Sequence, residues 1–277
     1  MLIRVGSRGS RLALTQAELA ASRLRAPGVE IALVPITTAG DKDRTKPFGQ
    51  IGARGVFVKE LEEALLENRI DVAVHSAKDM TSSDPQGLAV GAYLEREDPR
   101  DALCGADAIR PRMRIGTASA RRRAQLLALE PTLSIEPLRG NIDTRLRKRG
   151  ERGLDAIVLA ACGLDRLGLS GEIGLRLEPD VMLPEAAQGA LALQVRADEG
   201  ELVSHVDHAE TRRRVEAERR VVAVVEGGCL APVAAHHDGT TLTALIAAED
   251  GSWVERRTGD DADALGRELA DESRRHA

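Results

Sequence analysis

Short apolar segments alternate with segments of helical period through most of the chain, and this alternation restricts the fold more than any other feature. Leu2–Val5, Ile31–Ile36 and Val72–Val74 read as buried strands. Between them lie two amphipathic stretches. One runs from Arg11 to about Arg25, with Leu12, Thr15, Leu19 and Leu24 at helical spacing; the other covers about Val58–Asn68, with Leu61, Ala64 and Leu65 inward. Strands that alternate with helices imply parallel α/β architecture, in which binding groups collect at the carboxyl ends of strands. Asp41, His75, Lys78 and Asp79 fall at such ends. After the first strand, Gly6-Ser7-Arg8-Gly9-Ser10 forms a turn, with Ser10 placed to cap the helix. A turn of this kind offers free N–H groups to an anion, and a purely structural turn looks the same. It is not G-x-G-x-x-G, so no dinucleotide is indicated. The polar segment Lys42–Arg54 reads as a surface loop.

A charged, proline-containing passage, Glu95–Asp101, suits a crossover between domains. A second α/β run follows, with strands over Arg114–Gly116, Ser134–Leu138 and Asp155–Ala160. Ser119 caps a helix whose first turn carries Arg121, Arg122 and Arg123. Three cations there oppose the helix dipole. An anionic ligand would relieve the conflict; a solvated arginine face is the plain alternative. Arg139, Arg145 and Arg166 lie at or just beyond strand ends, with Asp143 or Thr144 expected to cap the helix that holds Arg145. Five of the 39 basic residues are lysines, leaving 34 arginines, so position and not number must identify the working ones. Arginine grips carboxylates through paired hydrogen bonds, and several converging on one cleft suit a substrate with many carboxylates. Cys162 sits in an apolar setting and reads as core packing.

Leu183–Gly189 reads as a turn and helix start, and Ala190–Arg196 as a further strand. A charged helix over about Ala209–Val225 leads to Glu226-Gly227-Gly228-Cys229. The remainder is a small α+β region, with strands over Val233–His237, Thr240–Ala247 and Ser252–Arg257. Its last helix, from about Ala264 to Arg275, is capped by Asp261 or Asp263. The two glycines allow Cys229 to stand at a loop tip. There it is a nucleophile, a metal ligand or an attachment point, unless it is simply a small buried hydrophobe. A metal site with His236 and His237 lacks the paired spacing of zinc ligands, and no metal is expected.

Composition removes other classes. The net charge is −5 and the aromatics number four, which leaves no basic coat and no base-stacking platform, so no nucleic-acid partner is expected. Three cysteines cannot complete a disulfide framework and fit a reducing compartment. No run approaches the ~20 apolar residues of a membrane helix and the N-terminus carries no apolar leader, so a cytoplasmic protein without a membrane partner is expected.

The segments RVGSRGSRLALTQ, GVFVKELEEALLENRIDVAVHSAKDM, EREDPRDAL, IGTASARRRAQL, LRGNIDTRL, DAIVLAACGLDRLGL, LPEAAQGALALQVR and GGCLAPVAAH together resemble the porphobilinogen deaminases, or hydroxymethylbilane synthases, along almost the full length. The resemblance implies a monomeric transferase of tetrapyrrole biosynthesis. It condenses four porphobilinogens stepwise, with loss of ammonia, into the linear hydroxymethylbilane. It also implies two periplasmic-binding-protein-like α/β domains, residues 1–94 with 190–208 and residues 95–189, and a small C-terminal α+β domain, residues 209–277. The implied cofactor is dipyrromethane, joined by a thioether to Cys229, whose glycines let the thiol reach the cleft between the α/β domains.

Carried over by position, Asp79 and Lys78 are catalytic. Ser10, Lys78, Asp79, Ser119, Arg121, Arg122, Asn141 and Arg145 surround the cofactor, and Arg8, Arg139, Arg145, Arg166 and Gln188 take the substrate. In this chemistry Asp79 stabilises the electron-poor azafulvene left when ammonia departs, and helps to move protons. Two positions depart from the common pattern: Arg54 replaces a frequent lysine, and Leu230 a frequent glutamine. A non-catalytic binding protein for a small anion would share the α/β fold, and the appended cysteine domain counts against it.

Overall fold

The computed structural model describes residues 1–37, 58–81, 84–226 and 231–276. The chain forms two compact units, Met1–Glu97 with Ala190–Arg212, and Asp98–Gly189 with Arg213–Ala277.

The first unit is built on a five-stranded sheet of β1 (Leu2–Arg8), β2 (Glu30–Ile36), β3 (Val72–Ser76), β4 (Leu88–Tyr93) and β10 (Leu191–Arg196), in the order β2-β1-β3-β10-β4. β1 runs parallel to β2, from Leu2 beside Glu30 to Arg8 beside Ile36, and parallel to β3; β10 is antiparallel to β3 and β4. Period-two alternation sends Ile3, Val5, Val72, Val74, Leu193 and Val195 to one face, where Ala20 and Leu24 of α1 (Arg11–Leu24) cover them. On the other face Ala73 and Leu88 pack with Ile70 and with Leu61 and Leu65 of α2 (Lys59–Leu66). Each Val, Leu or Ile side chain among these contributes about 1.5–3 kcal/mol on burial. The parallel strands of this mixed sheet, covered on both faces, put the free ends of β1 and β3, and so Arg8 and the residues after Ser76, at one carboxyl edge.

The second unit repeats the pattern. Its main sheet holds β5 (Asp101–Cys104), β6 (Arg114–Gly116), β7 (Ser134–Glu136), β8 (Ala156–Ala160) and β9 (Ile173–Leu177), in the order β7-β6-β8-β5-β9. β6 is parallel to β7 and β8, while β5 is antiparallel to β8 and β9. Its helices are α3 (Ala120–Leu129), α4 (Ile142–Glu151) and α5 (Ala161–Arg166). A separate antiparallel sheet, β11 (Val233–His237), β12 (Leu242–Ala247) and β13 (Val254–Gly259), packs with α7 (Ala262–Arg275) and with Val221, Val222 and Val225 of α6 (Ala209–Glu226). Leu245 and Ala247 of β12 share a buried cluster with Ala124 of α3 and Leu183, which ties the small sheet to the helix bearing the arginine run.

Gly251 tightens that tie. Its φ is +73°, and a Cβ there would stand 2.7 Å from the Ala128 nitrogen and 2.8 Å from the Ala124 carbonyl oxygen. Left-handed strain and a backbone clash act together, so Gly251→Ala should lower the unfolding free energy by about 2–4 kcal/mol in urea titrations. A loss near zero would show that α3 and the β12–β13 turn can part without penalty.

Several local expectations change. β4, β5 and β9 were not read as strands from the sequence, and the passage taken as a crossover ends by opening β5. The helix expected after Leu183 is only a turn, because Ala187 (φ 64°) and Gly189 (φ 93°) are both left-handed. The cap of α4 is Asn141, whose side chain accepts the Thr144 N–H at 2.9 Å, and not Asp143 or Thr144. Ser10, Ser119 and Asp261 cap their helices as expected.

Candidate active site

In the first unit, β1 delivers Arg8 and the turn after it sets Ser10 at the start of α1, where its hydroxyl accepts the Ala13 N–H at 3.3 Å. β3 ends at Ser76 and passes into a single 3-10 turn, Ala77–Asp79. The Ala77 N–H donates to the Ala190 carbonyl at 3.1 Å, which locks that turn to the entry of β10. Arg8, Ser10, Gln16, His75, Ser76 and Asp79 line one hollow of about 70 Å³. Gln16 and Ser76 are hydrogen-bonded at 3.0 Å and so fix one wall. Lys78 and Asp79 are both half-buried. Behind the hollow, the His75 Nε2 lies 3.1 Å from Gln194 Oε1, and Gln194 donates to Glu62 at 3.3 Å. Burial raises the Glu62 carboxyl above its ordinary range against that hydrogen bond.

In the second unit, Ser119 caps α3 by accepting the Arg122 N–H at 3.4 Å. Arg121 and Arg122 do not point to water: both are buried, and both converge on Asp101, the first residue of β5, which is itself wholly buried. Arg121 Nη2 donates to Asp101 Oδ2 at 2.8 Å, and Arg122 Nη2 to Oδ1 at 2.7 Å. Further bonds run from Arg121 to the Leu183 carbonyl and from Arg122 to the Val158 carbonyl. The conflict between these cations and the helix dipole is therefore met from inside the protein. Burial alone would raise the Asp101 carboxyl, but the charges of Arg121 and Arg122 outweigh it and hold the group well below the usual carboxylate range. Gln188, also wholly buried, donates to Asp101 Oδ1 at 2.9 Å, and Arg166 donates to the neighbouring Gly189 carbonyl at 2.8 Å. Arg121, Arg122, Gln188 and Arg166 thus belong to one network. Arg139, Asn141 and Arg145 gather instead at the start of α4, where Lys148 donates to the Arg139 carbonyl at 3.2 Å. Asp101 was missed in the sequence. Its one local signal is an acid opening an apolar run, Ala102-Leu103-Cys104.

Cys229 lies outside the described residues, as do Asp41, Leu230 and the whole of segment 42–54, Arg54 included. Cys104 and Cys162 are buried free thiols, and burial pushes Cys104 up to about 11. Consecutive residues of a strand leave opposite faces, so His236 and His237 diverge from one another.

Residues 3–204 match the family model described as porphobilinogen deaminase, dipyromethane cofactor binding domain, and residues 212–274 match the porphobilinogen deaminase C-terminal domain. The chain belongs to the porphobilinogen deaminase family. A porphobilinogen deaminase of Trichlorobacter lovleyi is 44% identical over 286 residues, spanning 97% of this chain and 92% of that protein. That of Nitratidesulfovibrio vulgaris is 45% identical over 269 residues, spanning 92% and 85%. Among solved structures, a TRAP periplasmic solute binding protein from Desulfovibrio salexigens is similar at 8% identity and a TM-score of 0.45, over 76% of this chain and 73% of that one. The activity of the family is porphobilinogen deaminase function in tetrapyrrole biosynthesis, a transferase reaction with dipyrromethane as cofactor. Among the described residues no helix is long and apolar enough to cross a membrane.

A site for dipyrromethane needs cationic donors for its carboxylates and an acceptor for its pyrrole N–H groups. The residues of each unit fit part of this need. In the first unit Arg8, half-buried at the end of β1, lines one hollow with Asp79, which supplies an acceptor. In the second unit Arg121 Nε is buried with no hydrogen-bond partner among the described residues, and Arg139 and Arg166 are half-buried.

Proposed function

We propose that the chain condenses four porphobilinogens stepwise into hydroxymethylbilane, with Asp79 as the catalytic carboxylate and Cys229 as the thioether anchor. When bound, dipyrromethane supplies the pyrrole end from which the product is extended. Asp79 accepts pyrrole N–H groups and offsets the positive charge that develops on porphobilinogen as ammonia leaves. Lys78, in the same turn, donates to carboxylates beside it. Ser10, Ser119, Asn141, Arg121, Arg122 and Arg145 hold the cofactor, and Arg8, Arg139, Arg145 and Arg166 hold the acetate and propionate groups of the substrate. Gln188 was expected beside them, but it is wholly buried and gives its two amide hydrogens to Pro99 and Asp101, so it acts on the site through Asp101. The observation that carries this reading is the placement of Asp79 in one hollow with Arg8 and Ser10, at the carboxyl end of β3.

Asp79→Ala should lower turnover by about 10²–10⁴-fold, the range of a lost acid–base and electrostatic group, while melting within a few degrees of wild type. Ammonia release and thermal unfolding measured on the same preparation check this, and a wild-type rate would remove Asp79 from the mechanism.

The three-domain division, with the C-terminal domain from residue 209, is part of the proposal. It is supported by the separate β11–β12–β13 sheet and by the two family matches that meet between residues 204 and 212. A monomer in the cytoplasm is likewise proposed. Its support is that the exposed large hydrophobics among the described residues, such as Leu33, Leu129 and Val254, belong to different elements, and that Cys104 and Cys162 stay as thiols.

A further inference from the structure

Glu218, in the middle of α6, is wholly buried. A carboxylate in such a place needs donors on both oxygens. Oε2 accepts the Ala187 N–H at 2.7 Å and Oε1 accepts the His237 N–H at 2.7 Å, with His236 Nδ1 3.4 Å from Oε1. One side chain therefore pins a helix, a strand of the small sheet and the turn that follows Leu183. That turn is constrained. Ala187 has a φ of 64°, a conformation that L-residues other than asparagine and aspartate seldom hold unless their surroundings enforce it. Gln188 comes next, and its amide nitrogen donates to the Pro99 carbonyl at 2.7 Å and to Asp101 Oδ1 at 2.9 Å. Asp101 in turn holds Arg121 and Arg122. A continuous path of hydrogen bonds and covalent turn thus runs from Glu218 to the arginine pair, all within the second unit.

We propose that Glu218 is a positioning residue for the deaminase reaction: it fixes the left-handed turn that delivers Gln188 to Asp101, and so sets the orientation of the Arg121 and Arg122 guanidiniums. The inference rests on the assignment of those arginines to the cofactor. Glutamine at 218 keeps the shape but offers one oxygen and one NH₂ where two N–H groups point, so one of the two amides loses its acceptor.

The test compares cofactor-loaded Glu218→Gln with Leu269→Ala, which truncates a wholly buried side chain in the same small-sheet core and removes none of these hydrogen bonds. Both are assayed at a temperature where each is fully folded. For Glu218→Gln, kcat per loaded molecule should fall by about 10²-fold, the scale of a misplaced binding group, while Leu269→Ala stays within about twofold. The Ala187 and Gln188 amides should also exchange with solvent about tenfold faster in Glu218→Gln than in Leu269→Ala. Equal kcat in the two variants overturns the proposal, whether or not the amides exchange faster. Should Glu218→Gln fail to fold, Gln188→Met keeps the side-chain length and removes both donated bonds; it must show the same loss of kcat, and a wild-type value overturns the proposal. Wild-type protein that carries no added mass would refute the cofactor assignment on separate grounds, and the exchange comparison would still report whether Glu218 holds the turn.

Discussion

Asp101→Ala should cost the second unit about 3–5 kcal/mol, because it strands two buried guanidiniums that share one carboxylate. Against a typical total of about 5–15 kcal/mol, the variant should be largely insoluble or melt far below wild type. The loss comes from the unpaired charges, not from any large net gain of the intact network. Replacing all three groups by apolar residues of similar volume, as Asp101→Leu with Arg121→Met and Arg122→Met, should therefore recover much of the stability. That triple variant should still fail to load cofactor. Urea titration of the three proteins measures the first claim and intact mass the second; an Asp101→Ala midpoint equal to that of wild type would show that the pair is not held by this carboxylate. The pH dependence has a definite sign. Asp101 is held below its ordinary value of 3.8 in the folded state, so its contribution is complete above about pH 4 and is lost as pH falls through the folded value. Acid unfolding should accordingly be steeper in wild type than in the apolar triple variant.

Local chemistry was legible in the sequence and long-range pairing was not. Ser10, Ser119 and Asp261 were readable as caps because a cap is settled within four residues. The β1–α1 and β3 segments were readable because buried parallel strands are short apolar runs. β9 was not, since Gly174 interrupts it; a Cβ there would lie 2.2 Å from the Ala106 carbonyl oxygen, so the glycine is a close-approach requirement that reads locally as a breaker. Asp101 and Glu218 looked like members of charged stretches. Their partners lie 20 to 87 residues away for Asp101 and 19 and 31 residues away for the two amides on Glu218, so only the fold shows that these two acids are internal. For the candidate site, the arginines were identifiable by type and position, but what each one is bonded to was not. Arg121 and Arg122 read equally well as a solvated face, and burial against Asp101 decides otherwise.

The second large effect concerns Cys229. Cys229→Ser should abolish turnover while leaving both α/β sheets folded, since the strands of both sheets lie between Leu2 and Arg196. The thiol count offers a simple companion. In unfolded wild-type holoenzyme Cys104 and Cys162 should react with a thiol reagent and Cys229 should not, giving two reactive thiols from three cysteines. The native protein should react more slowly still, because both remaining thiols are buried.

The most direct test of the whole account is the intact mass of protein produced where porphobilinogen is available. Wild type should exceed its sequence mass by two linked pyrrole units, and the excess should vanish in Cys229→Ser. A soluble wild-type chain at its bare sequence mass, or an excess that survives in Cys229→Ser, would contradict the account.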